Sequence, residues 1–65
     1  MASTQRLSEG AAIQATWIWF LPNKDNRDVA FSEIVGRVKA LAPGTDVERI
    51  RAEFERRLRR VQRLA

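Results

Sequence analysis

The heptapeptide APGTDVE at residues 42–48 separates two segments in which apolar residues recur at helical spacing. Proline and glycine interrupt regular structure, so Pro43 and Gly44 end the first segment. Thr45 and Glu48 have the spacing of a capping box, in which each side chain accepts a hydrogen bond from the other residue's amide. The heptapeptide therefore predicts a short connection between two antiparallel helices.

The two segments around this connection are predicted to be amphipathic helices, over 28–41 and from Asp46 to about Leu64. The apolar residues of the first are Phe31, Ile34, Val35, Val38 and Leu41. Those of the second are Val47, Ile50, Phe54, Leu58, Val61 and Leu64. Because the first helix is the shorter, it cannot cover the whole apolar stripe of the second. The rest of that stripe must meet the N-terminal part of the chain or another copy, so we expect a homo-oligomer, most simply a dimer.

The segment 11–21 is almost entirely apolar, and its centre, TWIWF at residues 16–20, is rich in residues typical of strands. We expect a short strand here, ended by Pro22, although a helix buried on all sides is the alternative. The predicted fold class is therefore mainly α: a short N-terminal strand followed by an antiparallel two-helix hairpin (βαα), completed by dimerisation. The alternative is a three-helix bundle. Residues 1–10 are expected to form a flexible polar arm, and 11–65 a single small domain.

The order strand, helix, helix resembles that of ribbon-helix-helix DNA-binding proteins in outline, although the chain has no residue-level motif of that family. The resemblance implies a two-stranded ribbon formed across a dimer axis, which could enter the major groove of DNA. Gln14 and Thr16 would then be candidates for contact with bases.

The chain contains neither cysteine nor histidine, which narrows the possible chemistry. Disulfides are excluded, zinc lacks its preferred ligands, and no imidazole is present to activate a serine. We therefore expect a protein that is not an enzyme and that uses no metal or cofactor. The apolar segment 11–21 is too short to span a bilayer as a helix, so we expect a cytoplasmic or otherwise intracellular protein.

The net charge of +4 arises from the end of the chain, because residues 56–65 contain five arginines and no acidic residue. On a helical wheel, five arginines cluster opposite the apolar stripe: Arg49, Arg56, Arg59, Arg60 and Arg63. Arginine suits phosphate because its planar group donates two parallel hydrogen bonds. We therefore expect these residues to bind nucleic acid, either DNA or RNA. Two alternatives are a solvated helix face without ligands, and a docking module that binds an acidic or helical protein partner through an apolar seam.

A second set of residues is expected at the oligomer interface. It consists of Trp17, Trp19, Phe54, Arg57, Leu58, Val61 and Leu64. Within it, Arg57 lies near the edge of the apolar stripe, where it either extends its charged end to solvent or forms a salt bridge between subunits. The aromatic residues at 17–20 are expected in a hydrophobic core, with base stacking as the functional alternative.

Overall fold

Three helices make up the fold: α1 at Glu9–Lys24, α2 at Phe31–Leu41 and α3 at Val47–Leu64. The structure, a computed structural model, describes residues 7–64, with side chains up to Arg63. This part of the chain contains no strand, so the molecule is mainly helical and fits the three-helix alternative. The first six residues of the predicted polar arm lie outside the described residues.

The strand expected over 11–21 is wrong, because this segment lies inside α1. Helical periodicity brings Ile13, Trp17 and Phe20 onto one buried face, whereas a strand would have placed Phe20 on the opposite side from the other two. Packing against the other helices thus outweighs the local preference of TWIWF for extended structure. The N-terminal end of α1 is fixed by Ser8, whose hydroxyl accepts from the amide of Ala11 at 3.2 Å. Without a strand, the outline resemblance to ribbon-helix-helix proteins no longer holds.

Pro22 lies within α1 and does not end it, as the helix continues to Lys24. Proline has no amide hydrogen, so it removes one hydrogen bond from the last turns of the helix. Two asparagines donate to carbonyls in these turns: the side chain of Asn23 to Trp19 at 2.7 Å, and that of Asn26 to Pro22 at 3.0 Å. The carbonyl that loses its backbone donor is that of Ile18, four residues before Pro22, so these side-chain bonds stabilise the end of α1 at other carbonyls.

The two helices predicted around residues 42–48 are present, but their ends differ from the expected capping. No side chain caps α2, which begins after Ala30. The capping box between Thr45 and Glu48 is not formed as predicted. Both the amide and the hydroxyl of Thr45 donate to the carbonyl of Ala42, at 3.1 and 2.7 Å, so Thr45 closes the turn before α3.

The core lies between the three helices and includes an aromatic cluster formed by Trp17, Phe20 and Phe54. The ring centroids of these residues are 5.4–5.6 Å apart, and Phe54 meets the other two rings edge-on. The remaining buried apolar residues are Ala12, Ile13, Ile34, Val38, Ala42 and Ile50. The aromatic cluster is the part of the core that joins α1 to α3.

The C-terminal part of α3 extends beyond this core. Ile50 and Phe54 are buried and Leu58 is half-buried, but Val61 is 37 % exposed. The described molecule is accordingly elongated, with extents of 45 × 22 × 19 Å. The apolar stripe on the last turns of α3 is thus only partly covered within one chain.

We predict that Phe54→Ala lowers the free energy of unfolding by ~3–5 kcal/mol, the typical loss for a buried aromatic side chain. A denaturant titration followed by circular dichroism measures this. Ile18→Ala is the control, because Ile18 is 60 % exposed and its truncation should change stability by less than about 0.5 kcal/mol. Equal losses for the two variants would contradict the packing described here.

The same substitution should have opposite effects at two buried threonines. The hydroxyl of Thr16 has no hydrogen-bond partner among the described residues, so Thr16→Val should raise stability by ~1 kcal/mol. Thr45→Val should lower stability by ~0.5–1.5 kcal/mol, the net contribution of one hydrogen bond, because the carbonyl of Ala42 loses the hydroxyl of Thr45 and keeps its amide. Unfolding midpoints of the two variants give the comparison, and a shift of the same sign in both would refute it.

Candidate functional site

The arginines predicted to form a binding face lie in two places. Arg56, Arg59, Arg60 and Arg63 are exposed on the C-terminal part of α3, where no acidic residue interrupts them. Arg49 lies about two turns earlier and donates to the carboxylate of Glu9 in α1 at 2.5 Å. Its charge is thus engaged in holding α1 against α3, which sets it apart from the other four.

These four arginines differ in whether they are paired with a carboxylate. Arg56 donates to the carboxylate of Glu53, one turn before it. Within the part of the chain that the structure describes, Arg59, Arg60 and Arg63 take part in no salt bridge. These three guanidinium groups are therefore available to an external anion.

A cleft lies between α1 and the C-terminal part of α3, with a volume of about 430 Å³. We call it the arginine cleft. Its lining residues are Gln14, Trp17, Arg56, Arg57, Arg60 and Val61. One wall is therefore uncharged and comes from α1, whereas the other carries three guanidinium groups from α3.

Arg57 is fixed within the arginine cleft by contacts with both helices. Its Nη1 donates to the Glu53 carboxylate at 2.8 Å, and its Nη2 donates to Oε1 of Gln14 at 3.2 Å. Arg57 is only 24 % exposed, and its carboxylate partner Glu53 lies one turn away on the same helix. A salt bridge between subunits at Arg57 stays a prediction.

Glu53 is the carboxylate bound to Arg56 and Arg57. The hydrogen bond from Arg57 lowers the pKa of Glu53 below its ordinary value of 4.5, burial opposes this change, and the charges of Arg56 and Arg57 reinforce it. Glu53 is therefore ionised at neutral pH and orients two guanidinium groups at the edge of the arginine cleft.

The aromatic side chains do not form an exposed stacking platform. Trp17 and Phe54 are only 8 % and 3 % exposed, so the core role expected for this cluster applies within a single chain. Trp19 is half-buried, and the guanidinium of Arg37 lies 3.8 Å from the centroid of its ring. The side chain of Leu64, also expected at an interface, lies outside the described residues.

A second surface lies on the outward side of α1. Four residues spaced four, three and four apart are exposed along it: Ala11, Ala15, Ile18 and Pro22. The sequence has no charged residue from Gly10 to Asn23, so this face carries no charge. It is an uncharged patch centred on Ile18, which is 60 % exposed.

Neither a metal site nor a membrane span is found in the described chain. Residues 7–64 bring together no group of three potential metal-ligating side chains of the histidine, cysteine, aspartate and glutamate types. None of the three helices is both long and apolar enough to cross a bilayer. The arginine cleft and the exposed arginines beyond it are accordingly the features with the clearest ligand chemistry.

Comparisons with protein-family models, with curated proteins and with solved structures gave no match to this chain. The function is therefore argued from the geometry and charge of the chain itself.

Sequence reasoning located the arginines but missed the arginine cleft. The pair Glu53–Arg57 could be expected from its spacing along one helix, and it is present. The contact of Arg57 with Gln14 joins residues 43 positions apart and depends on α1 being a helix. The sequence contained one indication of this contact. Arg57 lies at the edge of the apolar stripe, and a charged side chain at that position favours a polar partner on a neighbouring helix.

We predict that ionised Glu53 stabilises the fold and that this stabilisation is lost at acidic pH. Because the folded-state pKa of Glu53 is lowered, its contribution is present above pH 4.5 and is lost as the pH falls through the lowered pKa. Thermal unfolding between pH 6 and pH 3 should therefore show a smaller loss of stability in Glu53→Gln than in the wild type.

Arg57→Gln should reduce the pH dependence in the same way, since it removes the donor that most lowers the pKa of Glu53. A wild-type pH profile in both variants would show that the Glu53–Arg57 bond does not distinguish the folded from the unfolded state.

Proposed function

We propose that this protein binds nucleic acid through the phosphate backbone, using the arginine-rich C-terminal half of α3. The proposal depends on one observation: Arg56, Arg59, Arg60 and Arg63 are exposed along a stretch without acidic residues, and three of them make no salt bridge with a described residue. Such a concentration of unpaired positive charge on one short helical segment favours a polyanionic ligand.

The length of the segment suits this ligand. From Arg56 to Arg63 the helix rises by roughly 10 Å. Duplex DNA carries one negative charge per ~1.7 Å of its axis, so the same length of duplex carries about six charges. Four arginines therefore have enough phosphates within reach, and their planar groups can each donate two hydrogen bonds to phosphate oxygens.

Binding through the backbone is independent of base sequence. Gln14 and Thr16 were considered for contact with bases, but their positions do not favour recognition of the base sequence. Thr16 is buried, and Gln14 lines the arginine cleft, where its side-chain oxygen accepts from Arg57. We therefore propose non-specific binding, for which DNA and RNA are both candidates.

The homodimer expected from the sequence stays a prediction. A single chain already buries Trp17 and Phe54, which were expected at the interface. A dimer would therefore use residues that one chain leaves exposed, such as Val61 on α3 or Ile18 on α1. Two copies would double the number of arginines offered to one nucleic acid.

A second candidate function is protein docking, and the outward face of α1 is the observation that favours it. Ile18 is 60 % exposed in the middle of a helix that has no charge from Gly10 to Asn23. Contacts between proteins use contiguous apolar surface, and here the exposed Ala11, Ala15 and Pro22 lie on the same side of α1 as Ile18. Binding at this face would depend little on salt, which separates it from binding at the arginines.

The experiment is a titration of fluorescently labelled duplex DNA at several salt concentrations. Each phosphate contact contributes about 0.9 to the slope of log affinity against log salt. The triple variant Arg59→Gln, Arg60→Gln, Arg63→Gln should flatten this slope by about 2–3 and weaken binding strongly at low salt. Folding should persist, because these side chains are exposed and glutamine is a good helix former.

A matched control removes three positive charges elsewhere. Lys24→Gln, Arg27→Gln, Lys39→Gln changes the net charge equally but alters only residues outside α3. This control should keep most of the wild-type slope. Absence of binding by the wild type at low salt, or equal losses in the two triple variants, would refute binding through the end of α3.

A further inference from the structure

The arginine cleft differs from the rest of the basic surface because two helices build it. α3 supplies Arg56, Arg57 and Arg60, and α1 supplies the amide of Gln14 and one side of Trp17. Its volume of about 430 Å³ lies within the roughly 300–1,000 Å³ typical of ligand pockets. Arg59 and Arg63 lie on the same helix but do not line it.

The charge of the arginine cleft suits one small anion. Arg56, Arg57 and Arg60 contribute three positive charges, and Glu53, which is bonded to the first two, contributes one negative charge. A surplus of two positive charges remains. This surplus exceeds the single negative charge of a backbone phosphodiester and is close to the charge of about 1.5–2 on a phosphate monoester, so either form of phosphate is attracted to the arginine cleft.

Two of the side chains that line the arginine cleft, Arg57 and Gln14, are hydrogen-bonded to each other. Arg57 is held by Glu53 and by Oε1 of Gln14, so its side chain does not have to be ordered by a ligand. Because Oε1 of Gln14 accepts from Arg57, its Nε2 remains available as a donor. Arg60 forms no salt bridge with any described residue, so its full set of donors is also available.

From this arrangement we infer that the arginine cleft is a discrete phosphate-binding site. Arg60 and Nε2 of Gln14 donate to the phosphate oxygens, and Arg57 supplies a fixed positive charge beside them. This inference rests on the proposed function in naming a backbone phosphate of nucleic acid as the ligand. It adds that one phosphate is bound at a defined place, so that the nucleic acid is anchored there and held elsewhere by exposed arginines.

The test uses the full chain and inorganic phosphate alone. Side-chain signals of arginine Nε–H and glutamine amide groups are followed by NMR while sodium phosphate replaces sodium chloride at constant ionic strength. The largest shifts are expected at Arg57, Arg60 and Gln14. Arg60→Gln should weaken phosphate binding about tenfold or more, the usual effect of losing a charged hydrogen bond.

Two further variants make the test specific to the arginine cleft. Arg63→Gln removes the same charge outside the cleft, and phosphate affinity should stay within about twofold of the wild type. Glu53→Gln removes the competing carboxylate but keeps a side-chain oxygen for Arg57, so phosphate affinity should rise severalfold. A purely structural role of Glu53 would not produce this gain.

Equal losses in Arg60→Gln and Arg63→Gln, or phosphate shifts spread evenly over all the arginines, would overturn the discrete site. The proposed function is judged separately by the duplex titration. Duplex binding without localised phosphate shifts would leave backbone binding standing and refute the cleft. Localised phosphate shifts without duplex binding would support the cleft and identify its ligand as a free phosphate instead of nucleic acid.

Discussion

The edge-on contact of Phe54 with Trp17 and Phe20 is the interaction on which the rest of this structure depends. The three rings lie 5.4–5.6 Å apart, and together they join α1 to the middle of α3. A chain of 65 residues has a small core, so a single aromatic cluster provides a large share of the apolar area that it buries. Removing one ring would affect both helices at once.

The arginine cleft lies next to the same contact. Arg57 follows Phe54 by three residues on α3, and Gln14 precedes Trp17 by three residues on α1. Residues three apart share a helix face, so Arg57 and Gln14 lie on the same sides of their helices as the rings, and their side chains are hydrogen-bonded to each other. The arginine cleft therefore adjoins the aromatic core, because Trp17 belongs to both.

The sequence predicts those parts of the fold that depend on local patterns. The periodicity of residues 28–41 and 46–64 predicts α2 and α3, because their apolar and polar faces are distinct. The periodicity does not predict α1, because apolar residues lie on every side of this helix and its β-branched and aromatic residues favour a strand. Ser8 and Glu9 were a usable signal of a helix start, since a serine cap and an early acidic residue are both typical there. Local sequence patterns could not predict the arginine cleft, because its walls come from helices that are far apart in sequence.

Charged residues are distributed differently in the two halves of α3, and this difference bears on function. From Glu48 to Glu55 acidic and basic residues are interleaved, and salt bridges link Arg51 to Glu48 and Arg49 to Glu9 of α1. From Arg56 onward only positive charge is present, with arginines three and four residues apart. Like charges at these spacings cost about 0.2–0.5 kcal/mol per pair.

Interaction with the helix dipole offsets part of this repulsion, because a positive charge in the last turn, where Arg63 lies, contributes a stabilisation of about 0.3–1 kcal/mol. Five arginine pairs in this segment have these spacings, so their summed repulsion of roughly 1–2.5 kcal/mol is larger than that contribution. An anion bound across several arginines would remove the repulsion and leave the dipole interaction in place. Segregating positive charge at this end of α3 therefore lowers the stability of the unbound helix, and a bound anion would restore it.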